Sequence, residues 1–137
     1  MAKWSIPPVR LAGLIKEELN RAARAIALDI LSRIMVLSPV DTGRFRGNWQ
    51  IDIQSPAMEA LERLDRAGQA TVMTEAQKLL AYRLGQTITM RNNVPYSVRL
   101  EYGWSAQAPA GMVRVTLSEA QQIADKVAAG LRARRGA

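Results

Sequence analysis

The chain predicts an α+β fold: a small antiparallel sheet with a long N-terminal helix packed across it, a short middle helix and a C-terminal helix. Three observations predict it. Apolar residues recur at three- and four-residue spacing over residues 11–37 and again over 109–132. Between these stretches lie short runs in which apolar and polar residues strictly alternate. Pro and Gly punctuate the joins. With 137 residues, the chain has the size of one domain with a modest core. We divide it into an arm (1–10), a single domain (11–132) and a basic tail (133–137).

Pro7 and Pro8 deny the arm regular structure. Its apolar residues, Trp4 and Ile6, either tuck back onto the domain or anchor to a neighbour. The long helix follows, with Leu11, Leu14, Leu19, Ile26, Ile30, Ile34 and Leu37 on its stripe. It spans roughly 40 Å, long for so small a domain, which leaves part of the stripe for another subunit. Ser38-Pro39 stops it. Asp41-Thr42-Gly43 is a turn signal. From Gly47 to Gln54, Trp49, Ile51 and Ile53 alternate with Asn48, Gln50 and Asp52, which predicts a strand with one apolar and one wet face.

Residues 55–71 read as a mobile surface excursion, partly helical through Met58, Leu61 and Leu64 and suited to subunit contact. Thr74 to Leu84 reads as the middle helix, with Thr74 as cap and Gly85 closing it. Gln86 to Arg91 is the second strand, and Asn92-Asn93 a turn. In the segment from Pro95 to Tyr102, the alternation of Tyr96, Val98 and Leu100 favours a third strand over a helix. Gly103 to Ala108 is loop. Pro109 opens the final helix. A rival reading runs a strand from Met112 and caps a shorter helix at Thr116, with Glu119 completing a capping box.

The residue types present narrow the chemistry. The chain contains no Cys and no His, so disulfides, thiolate nucleophiles, imidazole bases and Cys/His zinc sites are excluded. Nothing matches a phosphate-cradling glycine loop. No apolar run approaches a membrane span, and no leader-like apolar segment opens the chain; the expectation is a soluble intracellular protein that contacts no membrane. Asp41, Glu101, Tyr96 and Tyr102 are the groups nearest to acid–base candidates, but no spacing poises them. We therefore expect no catalytic residues, no cofactor and no metal.

The 19 basic and 12 acidic residues give a net charge of +7, spread along the chain. A diffuse positive balance suits an ordinary basic surface or one lying near nucleic acid. Arg44, Arg46, Arg91, Arg99 and the Arg-rich tail are the cations that a phosphate binder would use. Trp104, between Gly103 and Ser105, must pack on its own domain or at an interface. Met112 follows a flexible Ala-Gly and suits a plug in either setting.

Two blocks carry a family resemblance. Asp41-Thr42-Gly43-Arg44-Phe45-Arg46, followed by Asn48-Trp49, resembles a segment of phage minor tail and neck proteins. The later block, Asn92-Asn93-x-Pro95-Tyr96-x-x-x-Leu100-Glu101-Tyr102-Gly103-Trp104-Ser105-x-Gln107-Ala108-Pro109-x-Gly111-Met112-Val113-Arg114, resembles the second signature of the same group. Asp-Thr-Gly also marks aspartic proteases, but there is no second copy here and the flanking apolar strands are missing.

The resemblance implies a structural protein of tailed phages or prophages, acting at the head–tail junction or tail end. Such proteins form rings around a DNA channel and complete or join the tail. The implied partners are further copies of itself, the phage connector, and tail-tube or tail-terminator proteins, with non-specific contact to passing DNA. The implied location is the virion, after synthesis in the bacterial cytoplasm. The motif residues are implied to set fold and assembly: Asp41 would cap the turn and hold Arg44 or Arg46, Glu101 would pair with one of those arginines, and Trp49, Tyr96, Tyr102 and Trp104 would supply aromatic contacts. The alternative from another class is a small basic DNA-binding accessory protein.

Overall fold

The computed structural model describes residues 8–136, and their side chains from 16 to 133. Trp4 and Ile6 lie outside the described residues.

The first helix, α1, runs from Pro8 to Leu37. It opens three residues before the expected start, because a proline suits the first helical turn: its missing N–H costs nothing there and its φ is already helical. Ala27, Leu31, Ile34 and Met35 form its buried stripe. After Ser38 the chain turns, and a four-residue helix, α2 (Arg44–Gly47), stands where the sequence suggested a corner running straight into a strand.

Strand β1 (Trp49–Ile53) pairs antiparallel with β2 (Ile88–Asn92), in register from Trp49↔Asn92 to Ile53↔Ile88. The sheet has these two strands among the described residues. The expected third strand is instead a short helix, α4 (Ser97–Glu101). Tyr96 and Leu100 pack against the core, while Val98 and Tyr102 are exposed. Both pairs are four residues apart, a spacing that fits period two as well as period 3.6.

The wet face expected for β1 is not wet. Asn48 and Gln50 are buried as fully as Trp49 and Ile51. The excursion after β1 covers them, and it is not helical before residue 69. It lies as an extended strap. Asn48 Oδ1 accepts the Leu61 N–H (2.6 Å), and Asn48 Nδ2 donates to the carbonyls of Arg44 (2.7 Å) and Leu61 (3.0 Å). Arg63 donates to the carbonyls of Gly47 and Trp49. Met58 and Leu64, expected on a helical stripe, point to solvent.

The middle helix, α3, is Gln69–Lys78, followed by one 3-10 turn, Leu79–Ala81. It begins five residues before Thr74. Gly68 holds the cap position with φ +85, and the Asp65 carboxylate accepts the N–H groups of Gly68 (2.9 Å) and Thr71 (2.8 Å). Gly85 belongs to a separate turn rather than to the end of this helix. Glu75 on α3 is fully buried. It accepts the Ile51 N–H (2.8 Å) and pairs with Arg63 (3.1 Å) and Lys78 (2.7 Å).

The final helix, α5 (Val113–Gly136), starts after Pro109, and the rival strand at Met112 does not form. It also runs past Arg132, where a frayed tail was expected. It lies antiparallel beside α1: Arg33 makes a bidentate pair with Glu119 (2.7 and 2.9 Å), while Leu19 lies near Leu131.

Candidate assembly surface

The two motif blocks are far apart in sequence, but the fold brings them into one corner. The join is a reciprocal pair of hydrogen bonds across 67 residues. The Val40 N–H donates to Gln107 Oε1 (2.9 Å), and Gln107 Nε2 donates to the Val40 carbonyl (3.0 Å). A hollow of about 280 Å³ lies at the join, lined by Asp41, Thr42, Gly43 and Arg44 from one block and Tyr96, Leu100 and Gln107 from the other.

On the first block, Gly43 is the pivot. Its φ is +91, and an added Cβ would come within 2.6–2.7 Å of the Asp65 and Arg66 backbone, so no other L-residue fits. Its carbonyl accepts the N–H groups of Gly47 (2.9 Å) and Asp65 (3.0 Å). Thr42, rather than Asp41, holds the turn: its hydroxyl accepts the Arg44 N–H (3.3 Å). Asp41 is exposed and has neither a hydrogen bond nor an ion pair among the described residues.

The arginines are placed differently from the expectation. Arg44 lies over the Tyr96 ring, 6.0 Å from its centroid. Arg46 donates to the carbonyls of Ser38 (3.0 Å) and Arg66 (2.9 Å), at the end of α1 and on the strap. Neither pairs with Asp41 or Glu101: Arg46 is bonded to backbone carbonyls and Arg44 lies on an aromatic face. Trp49 is buried and donates to Ser38 Oγ (2.8 Å), with its ring edge-on to Phe45.

On the second block, Glu101 caps α5. One carboxylate oxygen accepts the N–H groups of Met112 (2.9 Å) and Val113 (2.8 Å); the other accepts the Arg114 N–H (3.1 Å) and its guanidinium (3.0 Å). These N–H groups are the orphan donors of a helix start, and the positive end of the helix favours the anion. Burial raises the Glu101 pKa, but the three backbone N–H groups and the guanidinium outweigh it and hold the pKa below its ordinary value. A carboxylate saturated in this way positions a helix; it is not poised to exchange a proton. Gly111 lets the backbone reach this carboxylate, since an added Cβ would meet the Glu101 carbonyl at 2.4 Å. Gly103 packs in the same way against the carbonyl of Pro109, whose ring is exposed, and Met112 is buried as a plug in its own domain.

Outside this joint, Val98, Tyr102 and Trp104 project into solvent, at 65%, 66% and 73% exposure. Trp104 therefore does not pack into its own core. A cation lies beside each ring: Arg99 lies 5.1 Å from the Trp104 centroid and Arg114 lies 5.0 Å from that of Tyr102. Sequence reasoning missed Ser38 and Arg99 as parts of the corner. Arg99 carried a readable signal, lying three residues from both Tyr96 and Tyr102 of the second block.

Among the described residues no group of three or more acidic side chains is arranged to hold a metal, and no helix is long and apolar enough to cross a membrane. Comparison with protein-family models, with curated proteins and with solved structures finds no match to this chain.

Proposed function

We propose that this chain is a structural virion protein of a tailed phage. On this reading it forms a ring at the head–tail junction or tail end, completes or joins the tail, and lets DNA pass through the channel. The observation that supports it best is the corner itself. The residues of the two resembling blocks form one interlocked joint, and Val98, Tyr102 and Trp104 project outward from it, the two rings each beside an arginine. Exposed, preorganised aromatic side chains with arginine beside them are the composition of interface centres.

Trp104→Ala separates the two roles. Assembly of the variant is expected to fall at least tenfold, read as the shift in the concentration at which oligomer appears, while its urea midpoint stays at the wild-type value. A lowered midpoint with unchanged assembly of the folded fraction would place Trp104 in folding instead.

The DNA-binding alternative has less to stand on. Of the cations named for it, Arg46 is spent on backbone carbonyls. Arg91 is tied to Asp52, Gln50 and Asn93. Arg44 and Arg99 lie on aromatic faces. Accordingly, we expect no duplex binding by the free protein at physiological salt; tight binding with a steep loss of affinity as salt rises would favour the alternative.

A further inference from the structure

The two-stranded sheet has two outer edges, and they are treated differently. Just past the strands, the Gln54 N–H donates to the Thr87 carbonyl (2.8 Å). Hydrogen-bonded and non-bonded pairs alternate along an antiparallel ladder, so in the observed register the bonded pairs are Asp52 with Thr89 and Gln50 with Arg91. The backbone groups of Trp49, Ile51 and Ile53 then point off the outer edge of β1, and those of Ile88, Met90 and Asn92 off the outer edge of β2. On β1 side chains take up that edge: Glu75 accepts the Ile51 N–H (2.8 Å), and Arg63 donates to the Trp49 carbonyl (3.1 Å). On β2 no hydrogen bond reaches the outward backbone groups of Ile88, Met90 or Asn92 among the described residues.

A bare edge is a template for one more strand. Between β2 and the start of α5 lie two hollows that share Trp49, Met90 and Val113. One, of about 210 Å³, extends toward Ser97, Val98 and Met112; the other, of about 470 Å³, extends toward Ile26, Ile30 and Leu117. Ile88 and Met90 pack on the apolar face of the sheet. Thr89 and Arg91 belong to the opposite, polar face, where Arg91 bonds Asp52 and Gln50. An occupant must therefore supply extended backbone for the edge and an apolar side chain at every second residue for the hollows.

The arm contains such a segment: in Lys3-Trp4-Ser5-Ile6, polar and apolar residues alternate. It is too short to serve its own subunit. The nearest α1 residue of the larger hollow, Ala23, stands ~22 Å along the helix from Pro8, whereas the chain from Trp4 to Pro8 reaches at most ~14 Å. We propose that residues 3–6 of one copy add as a strand to the β2 edge of another, with Trp4 and Ile6 over the hollows and Lys3 and Ser5 on the face of Thr89 and Arg91. Arm exchange of this kind links copies whether or not they close into a ring.

The test follows amide exchange residue by residue in the full chain, together with mass by light scattering, for wild type and for Trp4→Ala/Ile6→Ala. The Thr89 and Arg91 amides bond within the sheet and report its integrity in each sample. In wild type the Ile88 and Met90 amides are expected to exchange at least tenfold more slowly at concentrations where mass exceeds a single chain than at those where it does not. In the variant they are expected to exchange fast throughout, with Thr89 and Arg91 still slow. Fast exchange at Ile88 and Met90 in wild type at every concentration overturns the proposal; if mass nevertheless rises, the ring function stands on another contact, and if it does not, both fail. Slow exchange in the variant as well gives the edge a different occupant. Slow exchange in wild type at single-chain mass places the occupant within the subunit and excludes arm exchange.

Discussion

Glu101 and Trp104 lie three residues apart and do opposite things. Glu101 is turned inward and serves the fold. Its carboxylate satisfies three backbone donors at the start of a 24-residue helix, so Glu101→Ala is expected to lower stability by about 2 kcal/mol, read from urea unfolding. Trp104 is turned outward, and its truncation is expected to change stability by less than about 0.5 kcal/mol. Equal losses for both variants would mean that the corner has a single, structural role. The sequence marks both residues as important but does not separate their roles. It names the wrong partner for Glu101, an arginine of the first block, because a cap contributed from eleven residues upstream follows no local capping pattern. Asp41 shows the reverse error: a residue that caps turns readily stands beside a Thr that does the work.

At the scale of elements, the three longer helices and both strands are legible because each has a sustained period and punctuated ends; the four-residue helix α2 has neither. The strap over 55–68 and the helix α4 are not. Alternation along β1 was read as burial against exposure, yet Asn48 and Gln50 are polar because the strap offers them backbone partners, not because they meet water. Asn48 makes three hydrogen bonds in a fully buried place. Asn48→Ala is expected to cost about 3 kcal/mol, since it leaves the Leu61 N–H and two carbonyls unpaired. The same bond gives the strap its own signature. The Leu61 amide is expected to exchange slowly in wild type and rapidly in Asn48→Ala, as read by hydrogen exchange. Rapid exchange in wild type would instead describe a loose excursion.

For the whole molecule, three carboxylates tie elements together: Asp65 joins the strap to α3, Glu75 joins α3 to β1, and Glu101 joins α4 to α5. Burial raises the pKa of each, but hydrogen bonds and nearby cations outweigh it and lower all three below their ordinary values of 3.8 for Asp and 4.5 for Glu. A folded pKa below the unfolded one contributes stability that is complete above the unfolded value and is lost as pH falls through the folded one. The urea midpoint is therefore expected to be flat from neutral pH down to about pH 5 and to fall below it. Glu75→Gln is expected to be less stable at neutral pH and less sensitive to acid, because the charge that titrates is gone. A midpoint that rises on acidification would contradict these assignments.

The most direct test of the ring function is the solution mass of the wild-type chain across a concentration series. The account predicts that mass rises with concentration to a plateau at a fixed number of chains, the mark of a closed assembly. Mass held at a single chain throughout would contradict it.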